Sequence, residues 1–210
     1  MLTFSTSQQV WGHEARQPDP AHLKLAHDHS AGHCLFCDYA SSHNLLHYRD
    51  GNPDNAAPEN LAVICPLCAA WQSLERLGAN DGVIVYLPEV SPEDINHLVR
   101  NTLWALQSCD GVLKKQGQSV MEWLIAHRQA TEDFWGTSHP GEFAQALLLT
   151  PPENRGELQL RLEHLALIVN PAHYTGHPAL APDTTQHWGS LYQNYLQQDV
   201  IDAKSTHLRT

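Results

Sequence analysis

Two cysteine pairs, Cys34-Leu-Phe-Cys37 and Cys65-Pro-Leu-Cys68, are separated by 27 residues and constrain this chain more than any other feature. Paired C-x-x-C knuckles in a chain with no sign of export point to a metal ion rather than to disulfides. One tight turn supplies two sulfurs. The second pair must come from elsewhere in the chain to close a tetrahedral shell at roughly 2.3 Å from a zinc ion. The second knuckle precedes a helix, whose unpaired first-turn N–H groups can also bond the sulfurs. Four protein ligands leave no open position, so such a zinc ion stabilises a fold and performs no Lewis-acid chemistry. A redox C-x-x-C needs one reactive pair at a helix start in a βαβ pattern, and two pairs with this gap fit a metal far better. A zinc deaminase needs H-x-E and P-C-x-x-C; here no H-x-E exists and Ile64 precedes Cys65. The fifth cysteine, Cys109, is expected to pack in a core as a small apolar residue.

Charge argues against a nucleic-acid binder. The net charge of the 210 residues is −11, and the first ninety hold four basic groups (Arg16, Lys24, Arg49, Arg76) against ten acidic ones. Phosphate binding draws on a positive surface that releases counterions. No apolar run reaches the length of about 18 residues that a spanning helix needs, and Met1 to Trp11 lacks the basic-then-apolar pattern of a signal peptide. The expectation is a cytoplasmic chain with no direct membrane insertion.

Residues 1–27 read as an irregular segment with a weak helix over 21–29. Asn44 to Tyr48 and Val83 to Leu87 read as strands, and Asp50 to Pro58, rich in Gly, Pro, Asn and Asp, as a loop. Cys68 to Leu77 is expected to be helical up to Gly78. Ser91-Pro92-Glu93-Asp94 combines a cap, a first-turn proline and acidic residues, and opens a helix to about Asp110. A second helix is expected over Val112–Ala130, with Val120, Trp123, Leu124 and His127 on one face. A third spans Pro140–Leu149, and a fourth runs from Thr150 through Leu158, Leu162, Leu165 and Ile168 to Asn170. A linker and a last helix over 183–198 follow. The division is therefore 1–27, a zinc module over 28–90, a helical region over 91–170, and a linker with C-terminal helix over 171–210.

Between the knuckles lie His47-Tyr48-Arg49-Asp50-Gly51-Asn52 and Glu59-Asn60-Leu61, with Ala69 directly after the last cysteine. This order resembles the HNH nuclease pattern across residues 28–72. The resemblance implies an α+β fold: an HNH-like, treble-clef ββα zinc module with a helical remainder packed on it. In that family the first histidine binds the catalytic metal, the second activates water, the asparagine orients that base, and a histidine after the last cysteine is a further ligand. His47 and Asn60 match, whereas Tyr48 stands where the base belongs and Ala69 where the ligand belongs. Tyrosine, with a reference pKa of about 10, is a poor base at neutral pH, and alanine binds no metal. The expected catalytic set is therefore empty. The rival reading is an active HNH endonuclease using His47 with Asp50 or a nearby histidine.

A closer resemblance is to the IcmJ (DotN) family. It is carried by the two knuckles, Asp50-Gly51-Asn52, Asn60-Leu61, Ala69, Val85-Tyr86-Leu87-Pro88-Glu89 and Phe134-Trp-Gly-Thr-Ser-His-Pro140, over roughly residues 30–150. That resemblance implies a non-catalytic zinc protein of type IVB secretion or conjugation systems. It would sit peripherally at the cytoplasmic face of the inner membrane and bind a DotL-like coupling ATPase through its C-terminal extension. His22, His27, His29 and His33 crowd the first knuckle without a metal-ligand spacing, and read as a solvated polar segment. Trp71, Trp104, Trp123, Trp135 and Trp188 sit on or beside helical stripes, as core or as the lining of a peptide groove.

Overall fold

The computed structural model describes residues 1–6 and 19–177. It is an α+β structure with two small antiparallel sheets. The helix expected over 183–198 lies outside the described residues.

Helix α1 (Pro20–Ser30) begins where Asp19 accepts a hydrogen bond from the Ala21 amide and Pro20 takes the first helical position. It ends through left-handed Ala31 and Gly32 into the first cysteine knuckle. Strand β1 (Leu45–Tyr48) pairs antiparallel with β2 (Leu61–Ile64), His47 opposite Ala62 and Tyr48 opposite Leu61. Helix α1 packs on β2, and Ala26, Leu61 and Val63 form a small core beneath it. Helix α2 (Pro66–Gln72) follows at once, so the local order is strand, strand, helix. The helix expected to reach Leu77 breaks at Ser73, because the N-terminal segment intervenes. The Leu74 amide donates to the Ser5 carbonyl, the Ser5 amide donates to Trp71, and Phe4 stacks on Trp71 at 4.6 Å. A 3-10 turn, Leu74–Arg76, finishes the segment.

Helix α3 (Pro92–Gln107) carries Ser91 as its cap, the side chain accepting from the Asp94 amide, as the sequence predicts. The second expected helix divides into α4 (Gly111–Ala126) and α5 (Arg128–Trp135). The break turns the His127 carbonyl toward the Tyr86 amide. The buried face of α4 carries Gly117, Met121 and Leu124; Trp123 and His127 turn outward together, Trp123 being 50% exposed. Gly117 lets α3 and α4 approach closely, since a Cβ there would lie 3.0 Å from that of Ala105. Helix α6 (Pro140–Leu149) has the expected bounds.

The fourth expected helix is the main correction. Helix α7 (Arg155–Arg161) stops early, and Leu165–Val169 is strand β4, buried at every residue. It pairs antiparallel with β3 (Gly82–Tyr86), from Gly82 opposite Val169 to Tyr86 opposite Leu165. The stretch 91–170 is thus not wholly helical. Leu-Ala-Leu-Ile-Val is a continuous apolar run with β-branched residues, which suits a strand covered on both faces. Gly82 is needed at the pairing's end, where a Cβ would come within 2.9 Å of the Ile168 carbonyl oxygen. The far edge of β3 is covered too, the Ile84 amide donating to Ser138 and the Tyr86 amide to His127. Cys109 is exposed rather than in the core. It lies in the short turn between Gln107, the last residue of α3, and Gly111, where no element covers it. No helix among the described residues is long and apolar enough to cross a membrane.

Candidate metal centre

The first knuckle is a backbone turn closed by three devices. The Cys34 amide donates to the Tyr39 carbonyl, Asp38 takes a left-handed conformation, and His33 bridges to Ala40. Buried Asn44 clamps the turn from behind, its amide donating to the carbonyls of Gly32 and Tyr39 at 2.7 and 2.8 Å. The Leu35 amide donates to the Val63 carbonyl at 2.8 Å, which fixes the knuckle against β2. The second knuckle opens α2: Cys65 is its cap residue, and its sulfur accepts the Cys68 amide at 3.4 Å. The first-turn N–H group bonds a sulfur there, as the sequence predicts.

These turns bring Cys34, Cys37, Cys65 and Cys68 together, all buried, with the four sulfurs within 4.8 Å of one another. A tetrahedral ion with sulfurs at roughly 2.3 Å sets them about 3.8 Å apart; Cys37 Sγ and Cys65 Sγ lie 3.6 Å apart. The residues present therefore fit a metal ion. The thiols' own chemistry agrees. Hydrogen bonds from Cys37, Cys65 and Cys68 pull Cys34 well below the ordinary thiol range, while those with Cys34, Cys37 and Cys65 push Cys68 well above it. Four sulfurs crowded this closely cannot all ionise on their own, and a cation at their centre removes the repulsion.

Sequence reasoning missed the groups that α3 contributes. Asn96 donates to Cys68 Sγ at 3.2 Å and accepts the Trp71 indole N–H at 3.1 Å. Arg100, 5% exposed, donates to Cys65 Sγ at 3.0 Å and approaches Cys37 Sγ at 3.7 Å. Its guanidinium lies 3.8 Å over the Tyr39 ring. His97 Nε2 donates to the Cys37 carbonyl, which leaves Nδ1 to accept from Arg100 at 3.1 Å. Burial works against the charge on Arg100, and the Cys65 and Cys37 sulfurs outweigh it, holding its pKa above the ordinary value. The signal was present in the sequence: Asn96 and Arg100 fall four apart within the apolar stripe of Ile95, Val99 and Leu103.

The remaining positions singled out from the sequence lie outside this cluster. His47, on β1, stacks edge-on against Phe36, and burial with help from Arg49 lowers its pKa to about 4. Tyr48 shares a 2.9 Å hydrogen bond with His22 Nδ1, and burial, then Asp19 and Asp54, raise its pKa. Asn60, buried, accepts the Asp50 amide and donates to the Asn55 carbonyl, pinning the loop between β1 and β2. Ala69 sits half-buried on α2, its amide bonded to the Cys65 carbonyl. The histidine-rich segment has local duties: His27 donates to the Asn44 carbonyl, and exposed His33 meets Asp38 at 3.0 Å.

A groove of about 400 Å³ lies between α5, the end of α7 and the paired ends of β3 and β4, lined by Tyr86, Thr131, Phe134, Trp135, Arg161 and His164. Phe134 is 78% exposed. Trp135 packs against Phe143, and Arg161 lies 5.5 Å over its ring. Gly136, left-handed, ends α5 and turns the chain toward Ser138. With both edges of β3 taken up, that strand offers no edge for a further strand at Ile84 and Tyr86.

No family model matches the chain. It is similar to the type 4 apparatus protein DotN of Legionella pneumophila, at 27% identity over 135 residues that cover 61% of this chain and 62% of that protein. The matched region thus spans somewhat less than two thirds of the curated relative's length.

Proposed function

Membership of the DotN (IcmJ) family is supported by that match, and from this premise we propose that the chain is a non-catalytic, zinc-holding adaptor of a type IV secretion apparatus. In this reading it binds and stabilises the coupling ATPase, a DotL-like protein, through that protein's C-terminal extension, at the cytoplasmic face of the inner membrane. The observation that carries the reading is the likeness to DotN. Zinc is the ion that a closed four-thiolate set suits best. The strand–strand–helix order leading into the second knuckle, with Asn60 just before β2, is what an HNH-derived module would keep.

The same positions argue for lost chemistry. Tyr48, its pKa raised, is protonated at neutral pH and cannot take a proton from water. Ala69 offers no ligand atom. The groove lined by Phe134, Trp135 and Tyr86 presents aromatic anchors of the kind that dominate peptide interfaces.

Calorimetry with the full chain and a soluble C-terminal extension of the coupling ATPase tests the proposal. Phe134→Ala is expected to weaken binding roughly tenfold or more, as loss of an aromatic anchor does, with metal content unchanged. A wild-type chain that fails to bind removes the adaptor reading. Binding untouched by Phe134→Ala and Tyr86→Ala moves the docking surface elsewhere. Plasmid nicking with Mg²⁺ that is lost in His47→Ala would restore the nuclease reading.

A further inference from the structure

Arg100 is the one charged side chain in the buried set among the described residues. Burying an ion forfeits its hydration unless an opposite charge compensates. The contacts of Arg100 are the sulfurs of Cys65 and Cys37, the Nδ1 lone pair of His97 and the face of Tyr39. Of the two ring contacts, neither carries a full negative charge. Compensation must therefore come from the sulfurs, as thiolates. Conversely, four thiolates around a divalent ion bear a net double negative charge in a site with almost no access to water. One nitrogen of the guanidinium, Nη2, faces both sulfurs while the other, Nη1, donates to His97 Nδ1, so the planar fork ties the sulfurs to the imidazole in one fixed geometry.

We propose that Arg100 is the built-in counter-ion of a metal–tetrathiolate centre and the positioning residue that retains its ion and ties α3 to it. The proposal rests on the metal reading above and adds a role that the four cysteines do not imply. Asn96 continues the connection on the same helix, joining Cys68 Sγ to the buried indole of Trp71. Through these two residues α3 closes over the knuckles.

The test uses the full-length chain loaded with zinc, its stoichiometry fixed by elemental analysis, and an excess of a chromogenic zinc chelator at constant pH. Arg100→Met is expected to hold zinc roughly ten- to a hundredfold less tightly and to release it correspondingly faster, the range found when partners of metal ligands are removed. Arg100→Lys should fall between the two. In the cobalt-substituted protein, the sulfur-to-metal charge-transfer band of Arg100→Met should move to lower energy, because a thiolate stripped of its cationic donor gives up its electrons more readily. A residue that merely packed α3 would not move that band. Wild-type release rates and an unshifted band in both variants overturn the proposal. Where Arg100→Met does not fold, Arg100→Gln, neutral but still a hydrogen-bond donor, decides in its place: faster release supports the counter-ion, and an unchanged rate overturns it. A wild-type chain that takes up no metal at all overturns the metal reading itself, and the proposal with it.

Discussion

The two sheets solve the same problem in different ways. Strands β1 and β2 are four residues each, and β1 is only partly covered, with Leu45 47% exposed. Strand β2 is buried at every residue, under α1 and beside the knuckles, and Asn44, Asn60 and the cysteine cluster add polar and sulfur ties to that burial. Strands β3 and β4 are held by a continuous core: Ile84, Val85 and all of Leu165–Val169 are buried against α3, α4 and the surrounding side chains. Neither sheet would persist alone, since isolated two-stranded pairs are marginal in water. One adds sulfur chemistry to its burial and the other rests on a larger apolar core, so each should fail under a different stress.

Removing the ion should divide them most sharply. Structural zinc contributes roughly 10–16 kcal/mol to small zinc-dependent folds. A chelator is therefore expected to strip amide protection from the two knuckles, β1, β2 and α2, while β3, β4 and α4 keep theirs. Hydrogen–deuterium exchange resolves the two. Retained protection at the Leu35 amide, which bonds Val63, would erase the contrast. Leu167→Ala should act in reverse. Leu167 is 1% exposed, and its truncation should cost about 2–5 kcal/mol of global stability in urea without changing metal content. Loss of the ion in that variant would mean that the two regions are one cooperative unit.

Acid gives a finer and slightly smaller separation, through His47. Burial, with Arg49 adding to it, lowers the pKa of His47 to about 4 from its ordinary 6.5. The unfolded chain takes up this proton first as pH falls. Stability fully present above about pH 6.5 is thus lost progressively toward pH 4, by about 3 kcal/mol at the limit. Thiolate protonation adds its own slope in the same direction. The difference between the wild-type chain and His47→Gln in denaturant titrations across that window isolates the histidine. Parallel pH curves for the two would show that this imidazole contributes nothing.

What the sequence made legible followed from local chemistry. The cysteine spacing identified the sulfurs that converge, and Ser91-Pro92 marked the start of α3. Leu158, Leu162, Leu165 and Ile168 kept a helical spacing right across the change from α7 to β4. The deciding influence, a strand some eighty residues earlier waiting for a partner, is invisible to any short window. Arg100 escaped notice for a related reason. On an apolar stripe an arginine reads as a side chain that reaches out to water, and only the folded arrangement shows two sulfurs waiting for it. Cys109 misled in the opposite direction: cysteine is usually buried, but here it occupies the turn between two helices.

The pairing of β3 with β4 also has a consequence for how the polypeptide is made. A ribosome extrudes Gly82–Tyr86 well before Leu165–Val169 exists, and for that interval Val-Ile-Val has no neighbour to cover it. Long-range pairing of this kind closes late, and an uncovered apolar strand invites association with other nascent chains. The cysteine knuckles, complete by Cys68, can meanwhile take up an ion and fold. Synthesis thus proceeds from a part that chemistry can lock early to a part that must wait for its last strand.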